Sequence, residues 1–103
     1  MDANNVAALR ELSRKHAAQA WEFLQQKLPG IRMKPTEKAS LLTATIPVGD
    51  EYLTRNVSKD ILLDPQRTRE FFQDSIDRRE EYEAKLIAYE VVDEILFGAM
   101  PQE

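Results

Sequence analysis

The chain has 103 residues, enough for a single domain over 1–103, with 43% hydrophobic and 31% charged residues; that balance excludes a disordered polymer and fits a globular chain. Its formal net charge is −4 and it contains no cysteine, which argues against direct nucleic-acid binding through clustered Lys and Arg and rules out a disulfide framework or a Cys-ligated zinc. No apolar run approaches the ~20 residues that span a bilayer, and the first sixteen residues lack a signal-peptide core, so no membrane partner and a cytoplasmic location are expected.

The first element is a long amphipathic helix over about residues 3–28. Asp2, Asn4 and Asn5 offer N-caps, and Pro29-Gly30 stops the helix. Val6, Leu9, Leu12, His16, Ala20, Phe23, Leu24 and Leu28 share one broad face, opposite Glu11, Lys15, Glu22 and Gln26. A stripe that wide needs more than one partner element, and the second half of the C-terminal helix is the first candidate. His16 is the only histidine. Its place within the apolar face favours a packed core or interface residue over a general base or metal ligand. Trp21, at the edge of the stripe, reads as core before interaction anchor.

Residues 30–63 support two readings. Ile31–Lys34 and Leu42–Val48 alternate in polarity and are rich in β-branched residues, the pattern of a β-hairpin over 31–48 with Pro35–Lys38 as its connection. Pro47 would then force the second strand to an edge or an end. In the competing reading, Thr36 caps a short helix that runs to Thr45. Gly49-Asp50 marks a turn, after which Asp50 is expected to cap a helix carrying Tyr52, Leu53, Val57, Ile61 and Leu62. Short helices or irregular structure are narrowly favoured for the segment, and the hairpin is the alternative.

The most strongly specified element is the last, over residues 65–97. Asp64 can accept hydrogen bonds from the first turn, and Pro65 suits the first helical position. No other Pro or Gly occurs before Gly98, which suits a helix-closing residue, with Pro101 beyond it. Such a helix would be roughly 50 Å long, well beyond the width of a compact domain with a radius of gyration near ~13 Å.

At ~100° per residue, Phe72 and Ile76 share one side of this helix, and Glu70, Asp74, Asp77 and Glu81 line the other. In the second half the apolar side is Ala84, Ala88, Val91, Val92, Ile95 and Leu96. That side continues the acidic one, so the apolar stripe swings by roughly half a turn. Either the helix breaks near Asp77–Glu83, or its halves pack on different partners. Salt bridges at i, i+4 are expected for Asp74–Arg78 and Glu81–Lys85.

The fold class expected from these elements is mainly α, with two long helices framing a middle of short helices or a small hairpin; α+β with a hairpin over 31–48 is the alternative. The over-long helix and the swinging stripe point to a non-enzymatic protein-protein interaction protein, an adaptor, assembly factor or inhibitor. Its expected partner is another protein, with a homodimer as the commonest closed assembly. Candidate partner-binding residues are Glu70, Asp74, Asp77 and Glu81. A row of carboxylates of this kind could also imitate nucleic-acid phosphates, as an acidic mimic blocking a DNA-binding protein.

The enzyme alternative is a Mg²⁺-dependent all-α nucleotide hydrolase using Glu90 and Asp93, which stand three residues apart on one helix face. That spacing resembles part of the metal-binding pattern of MazG-type pyrophosphohydrolases. The chain departs from their pattern at Ala84, where a third Glu is required, and in the short gap between Glu80-Glu81 and Glu90. With three glycines, one histidine and no cysteine, no phosphate-cradling loop, dinucleotide fingerprint or nucleophile motif can be assembled. No catalytic, metal or cofactor residues are assigned.

Overall fold

The computed structural model describes residues 3–98; Asp2 and Pro101 lie outside them. In chain order the elements are α1 (Ala3–Lys27), β1 (Arg32–Pro35), β2 (Leu41–Val48), β3 (Glu51–Ser58), α2 (Lys59–Leu62) and α3 (Pro65–Phe97). The two long helices stand where the sequence places them. The middle segment does not follow the favoured reading: it is a three-stranded antiparallel sheet in the order β1-β2-β3. The architecture is therefore α+β, in two layers.

Two corrections fall in this sheet. The helix expected after Asp50 is a strand, because Leu53, Arg55 and Val57 turn to the helices while Tyr52, Thr54 and Asn56 turn outward. That period of two is the signature of a strand with one buried face. Of the two places expected for Pro47, an edge or an end, the structure shows the end: β2 is central, and Pro47 is its last residue but one. β1 pairs only with Leu42–Thr45, so at Pro47 the β1 side of β2 has no strand neighbour, and the missing N–H breaks no ladder there. Thr36 caps no helix. Its hydroxyl donates to the Leu41 carbonyl at 2.8 Å and accepts from the Lys38 N–H at 3.1 Å, which folds the β1–β2 loop as a side-chain-mediated turn.

β2 and β3 meet at Gly49-Asp50. Gly49 has φ +62°, and a Cβ there would strike the Tyr82 ring, so glycine is required both by conformation and by the approach of α3. At the other end of β3, Ser58 caps the single turn of α2 by accepting from the Asp60 N–H at 3.1 Å. Asp64 then opens α3 as expected, accepting from the Gln66 and Arg67 N–H groups at 3.0 and 3.3 Å, with Pro65 in the first turn. The buried Thr68 hydroxyl ties this junction to α2 by donating to the Ile61 carbonyl at 2.8 Å.

The core lies between one face of the sheet and the facing sides of α1 and α3. It consists of Leu24, Leu28, Ile31, Ala44, Ile46, Val57, Phe72 and Ile76, with Trp21 and Phe23 packed against it. The outer face of the sheet carries polar cross-strand pairs such as Thr43 and Asn56, whose side chains hydrogen-bond at 3.2 Å. α1 packs on the first half of α3, not on the second half as expected: Leu24 and Leu28 share the core cluster with Phe72 and Ile76, and the Arg69 guanidinium sits 5.0 Å above the Phe23 ring. His16, on the same helix, is half-buried.

α1 and α3 run in the same direction across the sheet. α3 starts beside α2 and reaches the β2–β3 turn at Tyr82. α1 passes α2, meets α3 at Arg69 and ends beside Pro47, near that same turn. Each helix is longer than the sheet it crosses. α1 therefore overshoots at its N-terminal end, and α3 overshoots at its C-terminal end, on opposite sides of the core. The consequence is an elongated particle of 71 × 25 × 25 Å with a radius of gyration of 19.4 Å, against ~13 Å for a compact chain of this length.

Candidate functional site

The surface that the fold leaves without an internal purpose is the outward side of α3. The helix is continuous from Pro65 to Phe97, so it does not break near Asp77–Glu83. Thr68, Phe72, Ser75 and Ile76 face the core, and the half-buried Arg79 and Tyr82 extend that side by two turns. From residue 83 onward every described position of α3 is exposed.

Glu70, Asp74, Asp77 and Glu81 all lie on the outward side and are all exposed. The structure thus brings the four predicted residues together as one row along the helix. The ion pairs expected within it do not form. Glu70 and Asp77 accept instead from the neutral side-chain amides of Gln66 and Gln73, at 3.2 and 3.0 Å. The one ion pair on α3 among the described residues joins Arg79 to Glu83 at 3.1 Å. Among the described residues none of the four carboxylates is in an ion pair with Lys or Arg.

Past Glu81 the same side of the helix changes chemistry. Ala84, Ala88, Val91, Val92 and Ile95 continue the row at helical spacing. Val92 is 50% exposed and Ile95 77% exposed. Lys85, the one basic residue in 83–97, stands beside Val92 at the edge of the row, and Glu90 and Asp93 lie round the helix on the far side. Three exposed aliphatic side chains at helical spacing form a contiguous patch rather than isolated surface residues, and such patches mark interaction sites.

A second exposed apolar row lies on α1, and the sequence did not separate it from the core stripe. Val6, Leu9 and Leu12 share the side that buries Ala20 and Leu24, yet they are 45%, 58% and 51% exposed. They belong to the part of α1 that overshoots the core. Arg10 borders them, Lys15 stands toward the opposite side of the helix, and Arg14 holds Glu11 at 2.9 Å. Helix periodicity reports which residues share a face, and only helix length against sheet length tells where that face runs out of partner.

Two other places on the surface gather polar side chains. A groove of about 260 Å³ between β3 and α3 is lined by Leu53, Thr54, Arg55, Asp74, Ser75 and Arg78. Arg55 is already committed: it donates to the Phe71 carbonyl at 2.6 Å and lies 4.0 Å over the Phe71 ring. It clamps sheet to helix, a role hidden from the sequence once 51–58 is read as helical. Glu90 and Asp93 are exposed on α3, and among the described residues no group of three or more His, Asp or Glu stands where it could hold a metal. Among the same residues no helix is long and apolar enough to cross a membrane. Neither a protein-family model, nor a curated protein, nor a solved structure matches this chain.

Proposed function

We propose that the chain is a non-enzymatic protein-protein interaction protein, an adaptor, assembly factor or inhibitor, that binds through the outward row of α3. The observation that carries this reading is the reversal of the helix's apolar side. Residues 65–82 bury one side against their own domain, and residues 84–95 carry an aliphatic row on the opposite side, where no part of the domain can reach. Exposed aliphatic surface of this extent costs solubility, and a partner that removes it from water gains roughly 25 cal/mol per Å². The acidic row in line with it supplies orientation and partner selection through long-range charge.

The test places a photo-crosslinking amino acid at Val92 and, as a control, at Asn56 on the outer face of the sheet. Protein adducts formed at Val92 and absent at Asn56 are expected in the native host. If Val92 yields no protein adduct while the labelled chain is folded and abundant, the reading is overturned.

A second reading is favoured by one feature, the absence of Lys or Arg partners along Glu70, Asp74, Asp77 and Glu81. About 16 Å of carboxylates without ion pairs along a helix is suited to a basic cleft built for nucleic acid. Replacing the four with Gln or Asn should then abolish inhibition of the DNA-binding partner and leave the melting temperature unchanged; retained inhibition discards this reading.

A further inference from the structure

The sheet ends in β3, and one whole side of that strand has no strand neighbour. The Lys59 N–H donates to the Ser40 carbonyl at 2.8 Å, one step beyond the last paired residues of β2 and β3. Antiparallel pairs alternate between bonded and non-bonded, so Leu42–Val57, Ala44–Arg55 and Ile46–Leu53 are bonded pairs in the same register. Tyr52, Thr54 and Asn56 stand in the non-bonded pairs, and their N–H and C=O groups aim away from β2. Pro47, opposite Tyr52, obeys the same phase, because it lacks the N–H that a bonded pair needs. Among the described residues nothing hydrogen-bonds to these open-side backbone groups of Tyr52, Thr54 and Asn56. The register runs without a bulge from Leu41–Ser58 to Val48–Glu51, and β3 contains no proline. Two common protections of a sheet edge are therefore missing.

The groove of about 260 Å³ lies along this open side. Three consecutive residues of β3 line it, Leu53, Thr54 and Arg55. Thr54 points to the outer face, and the half-buried Leu53 and Arg55 point inward, so the groove wraps the edge of the strand. Its other wall is the flank of α3 with Asp74 and Arg78, on the far side of that helix from Arg69, which meets α1. Arg55 donates to the Phe71 carbonyl, and a guanidinium has five N–H donors. Among the described residues neither Arg55 nor Arg78 is in an ion pair. Two arginines against Asp74 leave the lining with a net positive charge.

We propose that β3 takes up an extended peptide segment of a partner protein as a fourth strand, and that the segment carries an Asp or Glu whose carboxylate enters the groove between Arg55 and Arg78. Backbone bonds to Tyr52, Thr54 and Asn56 hold the segment. Side chains of an added strand alternate between faces. The acidic residue beside Arg55 turns into the groove, and the residue two places away lies beside Leu53 and is apolar. Arg55 selects the partner. An apolar strand on this edge would draw the guanidinium further from water with no counter-charge, whereas a carboxylate there makes a charge-assisted bond. This site is separate from the aliphatic row of α3, so a Val92 that crosslinks to nothing leaves it standing.

Selection from a random linear decapeptide library displayed on phage tests the assignment. The wild-type chain is the bait, with counter-selection against Thr54→Pro, which removes an N–H that β2 does not use. The expected winners share an Asp or Glu with an apolar residue two positions away. With a synthetic winner on the wild-type chain, neutralising that acid to Gln or Asn should weaken binding at least about tenfold. Arg78→Gln should weaken it in the same direction with circular dichroism unchanged. N-methylation of the peptide at the alternate residues that face β3 should abolish binding, and N-methylation at the residues between them should not. In hydrogen exchange read by NMR, the amides of Tyr52, Thr54 and Asn56 should exchange freely in the free chain and slow at least about tenfold when the peptide is bound.

A selection that enriches no peptide overturns the proposal. So do winners without a shared acidic residue, and winners that bind while those three amides stay unprotected. If the three amides are protected without peptide and sedimentation velocity gives twice the monomer mass, the edge pairs with a second copy and the peptide assignment falls. Should Thr54→Pro unfold the chain, selection runs without it and the alternation in the N-methyl series on the wild type decides.

Discussion

The two halves of α3 are one uninterrupted helix held by different means. In residues 65–82 the helix is fixed from outside itself: Asp64 caps it, Thr68 ties it to α2, Phe72 and Ile76 fill the core, and Arg55 grips the Phe71 carbonyl. In residues 83–97 none of these supports exists, and helicity rests on the absence of Pro and Gly and on continuity with the first half. The contrast teaches that an amphipathic pattern has two distinct uses. In the first half it records burial within the chain, and in the second half the same kind of pattern is turned the other way, toward something outside it.

Substitutions can sharpen that contrast. The largest effect is expected for Phe72→Ala. Phe72 is fully buried and meets the Phe71 ring edge-on at 4.9 Å, so its loss should cost about 3–5 kcal/mol in urea unfolding, a large part of the stability of a small domain. Gly49→Ala comes next. The substitution forces a positive φ on an L-residue and drives its Cβ into Tyr82, at an expected cost of about 1–3 kcal/mol. Pairing it with Tyr82→Ala should recover the steric part and leave the backbone part, which a double-mutant cycle separates.

Asp64→Ala removes the cap that starts α3 and should cost about 1 kcal/mol. Amide hydrogen exchange in that variant should quicken in the first turn of α3 and not at residues 83–97. The smallest effect belongs to the projecting end. Ile95→Ala, at 77% exposure, should change unfolding free energy by less than about 0.5 kcal/mol when measured dilute enough for the chain to be monomeric. If Ile95→Ala costs as much as Phe72→Ala under those conditions, the second half of α3 is folded back on its own domain and the contrast is wrong.

The candidate surface was partly legible before any fold was known. The acidic row and the aliphatic row are separate statements of helical spacing, and their alignment on one side follows from counting ~100° per residue. The α1 row was not legible, because Val6, Leu9 and Leu12 lie on the same stripe as Ala20 and Leu24 and differ from them only in where the domain ends.

The sequence alone determined the two long helices, the cap and stop of α3, and the opposition of its two faces, since all of these depend on residues within a few turns of each other. Only the tertiary structure decided the rest. It made strands of 51–58, where a three-to-five-residue spacing of apolar groups mimics a helix while the strand period is satisfied by Arg55 turning inward onto Phe71. It put Pro47 in a central strand by ending β1 short of it. It kept α3 whole and sent α1 and α3 past the core at opposite ends, because a sheet with strands of at most eight residues cannot cover helices of 25 and 33 residues. Lengths of separate elements meet only in the folded chain, and that mismatch is what leaves two helix ends bare.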